Sequence, residues 1–168
     1  LVLDPGKGIT AHAHFADIQR YLPEGALLVA NNSRVVPARM LGTRPTGGKL
    51  EFLLLTPMPL LERHGEKEGW SSAEADGLIK PAKHAHVGEC LDFGPDLRVE
   101  VLSKGEFGRH HVRLHWEGDI RAIFESRGHL PLPPYIRRED AGDDRGAYQT
   151  VSARDDKAGP AAAPTAGL

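Results

Sequence analysis

The sequence has 168 residues, of which 40% are hydrophobic and 26% charged, and its formal net charge is −2. This length fits one domain or two small ones, and the composition is that of an ordinary soluble protein able to bury a core. The near-neutral charge gives no overall nucleic-acid signal, although it leaves room for a local basic patch. The single cysteine, Cys90, excludes an intramolecular disulfide and a multi-cysteine zinc site, which favours a reducing cytoplasm. No apolar run is long enough to span a bilayer.

The first 36 residues have the pattern of an α/β domain. Residues 1–4 predict a short strand before a turn, and residues 14–22 carry apolar side chains at helical spacing. Residues 26–30 predict a short buried strand that runs directly into the polar turn Asn31–Arg34. In α/β proteins, ligands are usually held at such carboxyl ends of strands.

Residues 37–117 predict a small antiparallel β-barrel or sandwich. Two extended runs, 35–42 and 49–55, flank a turn rich in proline and glycine and predict a hairpin. Later, residues 97–102 and 111–116 alternate between apolar and polar side chains, and Trp70 is expected to begin another strand. Short strands separated by glycine turns are typical of a barrel.

Several side chains of chemical interest lie in or beside the predicted barrel. Three arginines, Arg34, Arg39 and Arg44, gather near the hairpin, and Arg39 is expected beside Lys49 across it. This group is either a solvated hairpin face or a patch that binds a phosphate backbone. The nine histidines offer no sure third ligand for a metal and are interpreted as surface residues. Cys90 is expected to be a small buried hydrophobe rather than a nucleophile.

The chain after the barrel predicts one helix and then a stiff extended segment. Gly118 and Asp119 open the helix, its apolar face includes Phe124, and Gly128 ends it. Residues 128–136, called here the proline-rich segment, hold three prolines in four positions, which prevents a helix and disfavours a central strand. The segment is a connector, a ligand for another protein's aromatic groove, or a wall of a binding site.

The order of these elements predicts α/β plus all-β architecture, with a small antiparallel β-barrel inserted into a larger, here incomplete, α/β domain. We expect residues 1–36 to form the first part of that domain, residues 37–117 the barrel, and residues 118–168 the return. The chain begins with Leu1 rather than Met and ends after a run of small residues, so we expect both ends to be cut from a longer polypeptide.

Common catalytic motifs are missing from the sequence. It has neither of the glycine-rich phosphate loops, no Gly-x-Ser-x-Gly nucleophile turn and no His-Glu-x-x-His zinc motif. Composition and motifs therefore identify no reaction by themselves.

Three blocks of sequence, taken together, resemble the S-adenosylmethionine:tRNA ribosyltransferase-isomerase family of queuosine biosynthesis. The blocks are Asn31–Arg39 with Gly47–Glu51, then Gly128–Ile136, then Tyr148–Val151 followed by Ala162–Leu168. Each block alone is modest evidence, whereas their order and spacing together are very specific. The resemblance covers essentially the whole chain and is weakest in the barrel.

The resemblance implies an enzyme that moves the ribosyl part of S-adenosylmethionine onto the aminomethyl group of a 7-deazaguanine base in the tRNA anticodon. The product is epoxyqueuosine, and adenine and methionine leave. Family members are described as an α/β domain plus a β-barrel domain. The sulfonium is already a good leaving group and acidifies the adjacent carbon, so the protein must position substrates, exclude water and move protons.

The three blocks supply the candidate substrate-binding residues. Asn31 and Asn32 offer amide donors and acceptors to base or ribose edges. Arg34 and Arg39 suit phosphate or carboxylate groups, and Tyr135 suits stacking on a base. The remaining candidates from the second and third blocks are His129, Pro133, Pro164, Thr165 and Gly167. The sequence names no general acid or base.

The implied partners are a tRNA that carries the 7-deazaguanine precursor and S-adenosylmethionine as co-substrate, with no bound cofactor and no metal. We expect a cytoplasmic monomer without membrane contact, and we expect this fragment alone to be inactive because the family continues well past Leu168. The alternative from another class is a non-catalytic RNA-binding β-barrel module with a proline-rich arm, which has no reason to bind S-adenosylmethionine.

Overall fold

The computed structural model describes residues 1–44, 47–67, 69–132, 136, 138 and 140–159. The chain forms two compact units, Leu1–Ala30 and Asn31–Leu168. Within the described residues, no helix combines the length and the apolar character needed to cross a membrane.

The first unit contains a short hairpin and one 3₁₀-helix. Strands β1 (Val2–Asp4) and β2 (Gly8–Ala11) pair antiparallel, which confirms the strand predicted at the start of the chain. The 3₁₀-helix Phe15–Tyr21 lies where helical spacing predicted a helix. None of its residues is buried, and Phe15 is 77% exposed. The apolar residues are therefore spaced as in a helix, although none of the helix residues is buried.

The strand predicted at residues 26–30 is wrong. These residues pair with no strand among the described residues, and Leu27 and Val29 are 88% and 86% exposed. A strand needs a neighbour that satisfies its backbone N–H and C=O groups, and the described part of this unit supplies a single two-stranded hairpin. The apolar residues 26–30 have the composition of a buried strand, but composition does not supply the neighbouring strand that a β-strand must pair with.

The second unit contains a seven-stranded antiparallel sheet. Its strands are β3 (Arg39–Thr43), β4 (Lys49–Leu54), β5 (His64–Lys67), β6 (Trp70–Lys80), β7 (Cys90–Asp92), β8 (Leu97–Lys104) and β9 (Arg109–Glu117). Their order is β3-β4-β6-β9-β8-β7, with β5 paired to β6. The predicted hairpin is β3 and β4, and the alternating runs are β8 and β9, so these predictions are confirmed.

The sheet curls into a nearly closed barrel, because its two edge strands β3 and β7 approach each other. A Cβ added at Gly42 on β3 would lie 2.6 Å from the backbone oxygen of Asp92 on β7. Beside this contact, the Arg44 guanidinium donates to a carboxylate oxygen of Glu89 at 2.8 Å. Any side chain at position 42 would push the two edges apart, so the close approach requires glycine.

The barrel interior holds the core. Alternation along β6, β8 and β9 places every second side chain inside, where burial of a large apolar side chain contributes about 1.5–3 kcal/mol. The largest fully buried apolar side chains are Phe52, Phe93, Phe124, Met40, Leu54, Ile79, Leu97, Leu114 and Leu130.

Two predictions about individual side chains are wrong. Cys90 is exposed, because Leu91 takes the interior position on the three-residue strand β7 and its neighbours face outward. His110 is 2% exposed rather than a surface residue, and its Nδ1 lies 2.8 Å from the backbone oxygen of Gly108. A backbone partner for one ring nitrogen allows this histidine to take an interior position of β9.

Helix α1 (Ile120–Arg127) follows the barrel, as predicted. The Asp119 carboxylate caps it by accepting from the Arg121 N–H at 2.9 Å, Ile123 and Phe124 are buried, and Gly128 ends it. A single-turn helix α2 (Asp144–Ala147) comes later. Short 3₁₀ turns lie at Met58–Leu60, Ala82–His84, Glu106–Gly108 and Asp155–Lys157.

The described residues thus form a mostly β structure with few helices, and its main element is the barrel. The larger α/β domain around it, and the division into residues 1–36, 37–117 and 118–168, stay predictions.

Candidate substrate-binding site

The polar turn at Asn31 and Asn32 is held by its backbone. The Asn31 carbonyl oxygen accepts from the hydroxyls of Thr150 at 3.2 Å and Ser152 at 2.8 Å. The Asn32 carbonyl oxygen accepts from the Arg154 N–H at 3.0 Å. The Asn32 side chain is exposed and makes no hydrogen bond to any described residue, so its amide is available to a ligand.

The Asn31 side chain is partly used by the turn itself. Its amide oxygen accepts from the Ser33 N–H at 2.8 Å and also from the Ser33 hydroxyl. This Asx-type turn fixes the Asn31 side chain against its own backbone. The prediction that both asparagine side chains contact a base or ribose edge therefore fits Asn32 better than Asn31.

Arg34 is fixed by a two-way backbone pairing and carries an exposed guanidinium. Its N–H donates to the Lys157 carbonyl oxygen at 3.1 Å, and its own carbonyl oxygen accepts from the Gly159 N–H at 3.2 Å. Arg34 Nε lies 3.2 Å from a carboxylate oxygen of Asp155, whose side chain is 85% exposed. An exposed ion pair of this kind contributes about 0–1 kcal/mol, so a substrate anion can displace Asp155 at little cost.

Gln149 clamps the next residue, Val35. The Gln149 amide oxygen accepts from the Val35 N–H at 2.9 Å, and its amide nitrogen donates to the Val35 carbonyl oxygen at 3.0 Å and to the Arg145 carbonyl oxygen at 3.2 Å. Val35 is buried with Leu130 of the proline-rich segment, and Tyr148 packs against them. One side chain thus ties the 31–39 segment to the 145–149 turn.

Arg39 and His129 form an isolated antiparallel bridge between β3 and the proline-rich segment. The His129 N–H donates to the Arg39 carbonyl oxygen at 2.8 Å, and the Arg39 N–H donates to the His129 carbonyl oxygen at 3.1 Å. The preceding Gly128 makes this possible, because a Cβ there would overlap the carbonyl oxygens of Pro37 and Phe124. Residues that face each other in such a pair project their side chains to the same side.

The Arg39 guanidinium is only partly satisfied by the fold. Its Nη1 lies 3.5 Å from a carboxylate oxygen of Glu51, and its Nε is buried without a hydrogen-bond partner among the described residues. The expectation that Arg39 lies beside Lys49 is wrong, because the hairpin register sets Arg39 opposite Leu53 and Lys49 opposite Thr43. The hairpin register therefore separates Arg39 from Lys49, and the phosphate-binding patch stays a prediction.

Asp140 organises the start of the proline-rich segment. Its carboxylate accepts from the Leu130 N–H at 3.0 Å, and its other oxygen lies 2.7 Å from His129 Nδ1. Burial by itself raises the pKa of Asp140, but these two hydrogen bonds outweigh burial and hold the pKa below its ordinary value. Asp140 is therefore ionised at neutral pH and orients the His129 ring.

Of the predicted site residues, the structure gathers five on or against the 31–39 segment: Asn31, Asn32, Arg34, Arg39 and His129. The other five lie outside the described residues: Pro133, Tyr135, Pro164, Thr165 and Gly167. Sequence reasoning missed Gln149 and Asp140 as supports of the site. Gln149 lies in the third block that resembles the family, so the sequence could have pointed to it. Asp140 is one of several acidic residues in a charged loop, and no local pattern distinguishes it.

The described residues form a mostly β protein whose main element is a nearly closed barrel, and the 31–39 segment brings the candidate residues Asn31, Asn32, Arg34 and Arg39 together with His129. The family model described as "Queuosine biosynthesis protein" matches residues 1–168. The chain belongs to this family.

Curated relatives cover the chain from end to end. It is 58% identical over 175 residues to the S-adenosylmethionine:tRNA ribosyltransferase-isomerase of Nitratidesulfovibrio vulgaris, covering 100% of this chain and 47% of that protein. The protein of the same name from Oleidesulfovibrio alaskensis is 57% identical, over 99% of this chain and 44% of its own length. The chain thus spans about half the length of the curated relatives it matches.

A solved structure also matches. The crystal structure of an S-adenosylmethionine tRNA ribosyltransferase from Thermotoga maritima is 26% identical, covers 72% of this chain and 38% of that chain, and has a TM-score of 0.37.

Proposed function

We propose that the full-length protein is a tRNA-modifying enzyme that transfers and isomerises the ribosyl moiety of S-adenosylmethionine. The acceptor is 7-aminomethyl-7-deazaguanine in the tRNA anticodon, and the product is epoxyqueuosine. Relatives 57–58% identical across the chain carry the matching name. The structural observation that supports the proposal is that the described parts of the three blocks meet: the 31–39 segment bonds to His129 on one side and to residues 149–159 on the other.

The site offers the contacts that this reaction needs. Arg34 carries an exposed guanidinium in a displaceable ion pair, which suits a tRNA phosphate or the carboxylate of the sulfonium donor. Asn32 presents an amide that no described residue hydrogen-bonds, and this amide suits a base or ribose edge. We further assign Arg39, His129, Pro133, Tyr135, Pro164, Thr165 and Gly167 to substrate binding, as the three blocks predict.

The same proposal includes the finer architecture. In the full-length protein, residues 1–36 and 118–168 belong to an α/β domain into which the barrel of residues 37–117 is inserted. The exposed apolar side chains of Phe15, Leu27 and Val29 support this, because such a surface normally packs against other protein. The protein acts as a cytoplasmic monomer with tRNA and S-adenosylmethionine as partners and no bound cofactor.

The test uses the purified full-length protein, tRNA that carries the 7-deazaguanine precursor, and S-adenosylmethionine. We expect epoxyqueuosine in the digested tRNA by mass spectrometry, with adenine and methionine released in equal amounts. Calorimetry with S-adenosylmethionine and tRNA separately tests binding. A protein that binds tRNA, ignores S-adenosylmethionine and forms no product would be the non-catalytic RNA-binding barrel instead.

A further inference from the structure

His129 and Asp140 form a pair that combines an accessible imidazole with a buried carboxylate. The His129 side chain is 30% exposed and that of Asp140 only 6%, and Asp140 Oδ1 lies 2.7 Å from His129 Nδ1. The second carboxylate oxygen is held by the Leu130 N–H at 3.0 Å. An ionised carboxylate accepts hydrogen bonds only, so Nδ1 must carry the proton. In the neutral ring Nε2 is then the bare nitrogen, and no described residue hydrogen-bonds to it.

Two other histidines with carboxylate partners show what a structural pair looks like in this chain. On the outer barrel wall, His115 Nε2 lies 3.1 Å from Glu100, and the two side chains are 33% and 30% exposed. His111 uses both ring nitrogens, at 3.2 Å to Asp76 and 3.1 Å to Glu74. In these pairs Nε2 is already bonded and the carboxylate is as accessible as the ring. His129 differs in both respects.

The position of His129 places it in the candidate site. Its double backbone bridge to Arg39 sets both side chains on the same side of the two chains. The Arg39 guanidinium, which is proposed to bind an anionic group of a substrate, therefore projects to the same side as the His129 ring. Asp140 fixes the ring by one oxygen and the backbone that carries the ring by the other, so the geometry exists before any ligand binds.

We propose that His129 is the proton-transfer residue of the site and that Asp140 is its positioning residue. This inference rests on the proposed function and names the base that the reaction requires. The ribosyl C–H bond beside the sulfonium breaks, and an N–H bond forms at Nε2. The electron pair stays on the carbon next to the positive sulfur, so the substrate cation becomes a neutral ylide and the imidazole becomes an imidazolium. The electron pair on that carbon then forms a C=C bond to the neighbouring ring carbon as the ring C–O bond breaks, the ring oxygen forms a C=O bond to the anomeric carbon, and the bond from that carbon to adenine breaks. The imidazolium gives its proton to the adenine nitrogen that takes the electron pair, which returns the imidazole to its neutral state.

The test compares three variants of the full-length enzyme. His129→Asn keeps an amide N–H where Nδ1 stood, and so keeps a donor for Asp140, but it cannot carry a proton at Nε2. Asp140→Asn presents an NH₂ group to Nδ1, which favours the tautomer with the proton on Nε2 and removes the bare nitrogen. His115→Asn is the matched control, because it changes a histidine with a carboxylate partner on the outer barrel wall.

For His129→Asn and Asp140→Asn, we expect kcat to fall at least about 100-fold, as for loss of a general base. The affinity for S-adenosylmethionine, measured by calorimetry, should stay within about threefold of the wild-type value. The substitutions affect proton transfer and not the binding of the substrate in its ground state. His115→Asn should keep the wild-type kcat.

Two results would overturn the inference while the proposed function stands: a His129→Asn enzyme with kcat within about threefold of wild type, or a loss confined to KM. If His129→Asn fails to fold, Asp140→Asn decides the matter by the same measurement of kcat. A wild-type enzyme that transfers no ribosyl group would overturn the proposed function, and this inference with it.

Discussion

Gln149→Ala should destabilise the second unit because it removes the side chain that clamps the 31–39 segment. Val35 is 4% exposed, and both of its backbone polar groups bond to the Gln149 amide, at 2.9 and 3.0 Å. Leaving a buried donor or acceptor unpaired costs about 1–3 kcal/mol. With two groups affected, the free energy of unfolding should fall by about 2–4 kcal/mol, and the lower figure applies where water fills the vacated space.

Equilibrium denaturation by urea measures this change, and hydrogen exchange at the Val35 amide reports whether it is local. Gln19→Ala is the control, because Gln19 is exposed and makes no hydrogen bond to a described residue. It should alter the unfolding free energy by less than about 0.5 kcal/mol. Gln149→Glu should destabilise as well, because it keeps an acceptor for the Val35 N–H but sets a second oxygen against the Val35 carbonyl. If Gln149→Ala lowers the free energy of unfolding by no more than Gln19→Ala does, Gln149 does not hold the 31–39 segment in place.

Three other predictions address binding, barrel closure and pH. Arg34→Ala in the full-length enzyme should lower kcat/KM and weaken tRNA binding with unchanged thermal stability, because its ion pair is exposed; unchanged kinetics would contradict this. Gly42→Ala should lower the free energy of unfolding in urea by about 1–3 kcal/mol because it separates the edge strands. Gly48→Ala should cost less, because its Cβ would lie at an ordinary contact distance of 3.7 Å from the Arg44 side chain, and equal costs would contradict closure. A hydrogen bond to Glu74, and a second one to Asp76, raise the pKa of His111 in the folded protein. The protonated His111 therefore stabilises the fold fully below about pH 6.5, and this stabilisation is lost as the pH rises through the higher pKa of the folded state. The wild-type Tm should therefore drop more than that of His111→Gln between about pH 6 and pH 9, and parallel curves would contradict the pairing.

The barrel was the part of the fold that sequence could predict. Strand β8 alternates apolar and polar residues from Leu97 to Val101, strand β9 does so from His111 to Trp116, and the turn between them carries Gly105 and Gly108. In such strands the pattern that marks the structure is also the pattern that stabilises it, since every second side chain enters the core. Helix α1 was predictable for a similar reason, because the Asp119 cap and the Gly128 stop are both local signals.

The site was less predictable because its geometry depends on register and on long-range backbone pairing. Arg39 was expected beside Lys49, but a hairpin's register is set by its turn, and here Arg39 faces Leu53. Asp140 reaches back ten positions to the Leu130 N–H, and no local pattern encodes such a bond. The family resemblance located the three blocks, but it could not say which of their residues would face a ligand and which would support the others.

The residues that support the site differ from those that face a ligand, and this difference predicts how variants of the site should behave. Gly128 and Gln149 place the backbone, so changing either of them alters stability and binding together. Asn32 and Arg34 present exposed side chains from backbone that is already bonded elsewhere, so changing them affects binding alone. A site whose supports and whose ligand contacts are separate residues can change its specificity without losing its shape. The 31–39 segment is built this way, since its hydrogen bonds to residues 149–159 use backbone groups of the segment, and the ion pair of the Arg34 side chain with Asp155 is one that a substrate anion can displace.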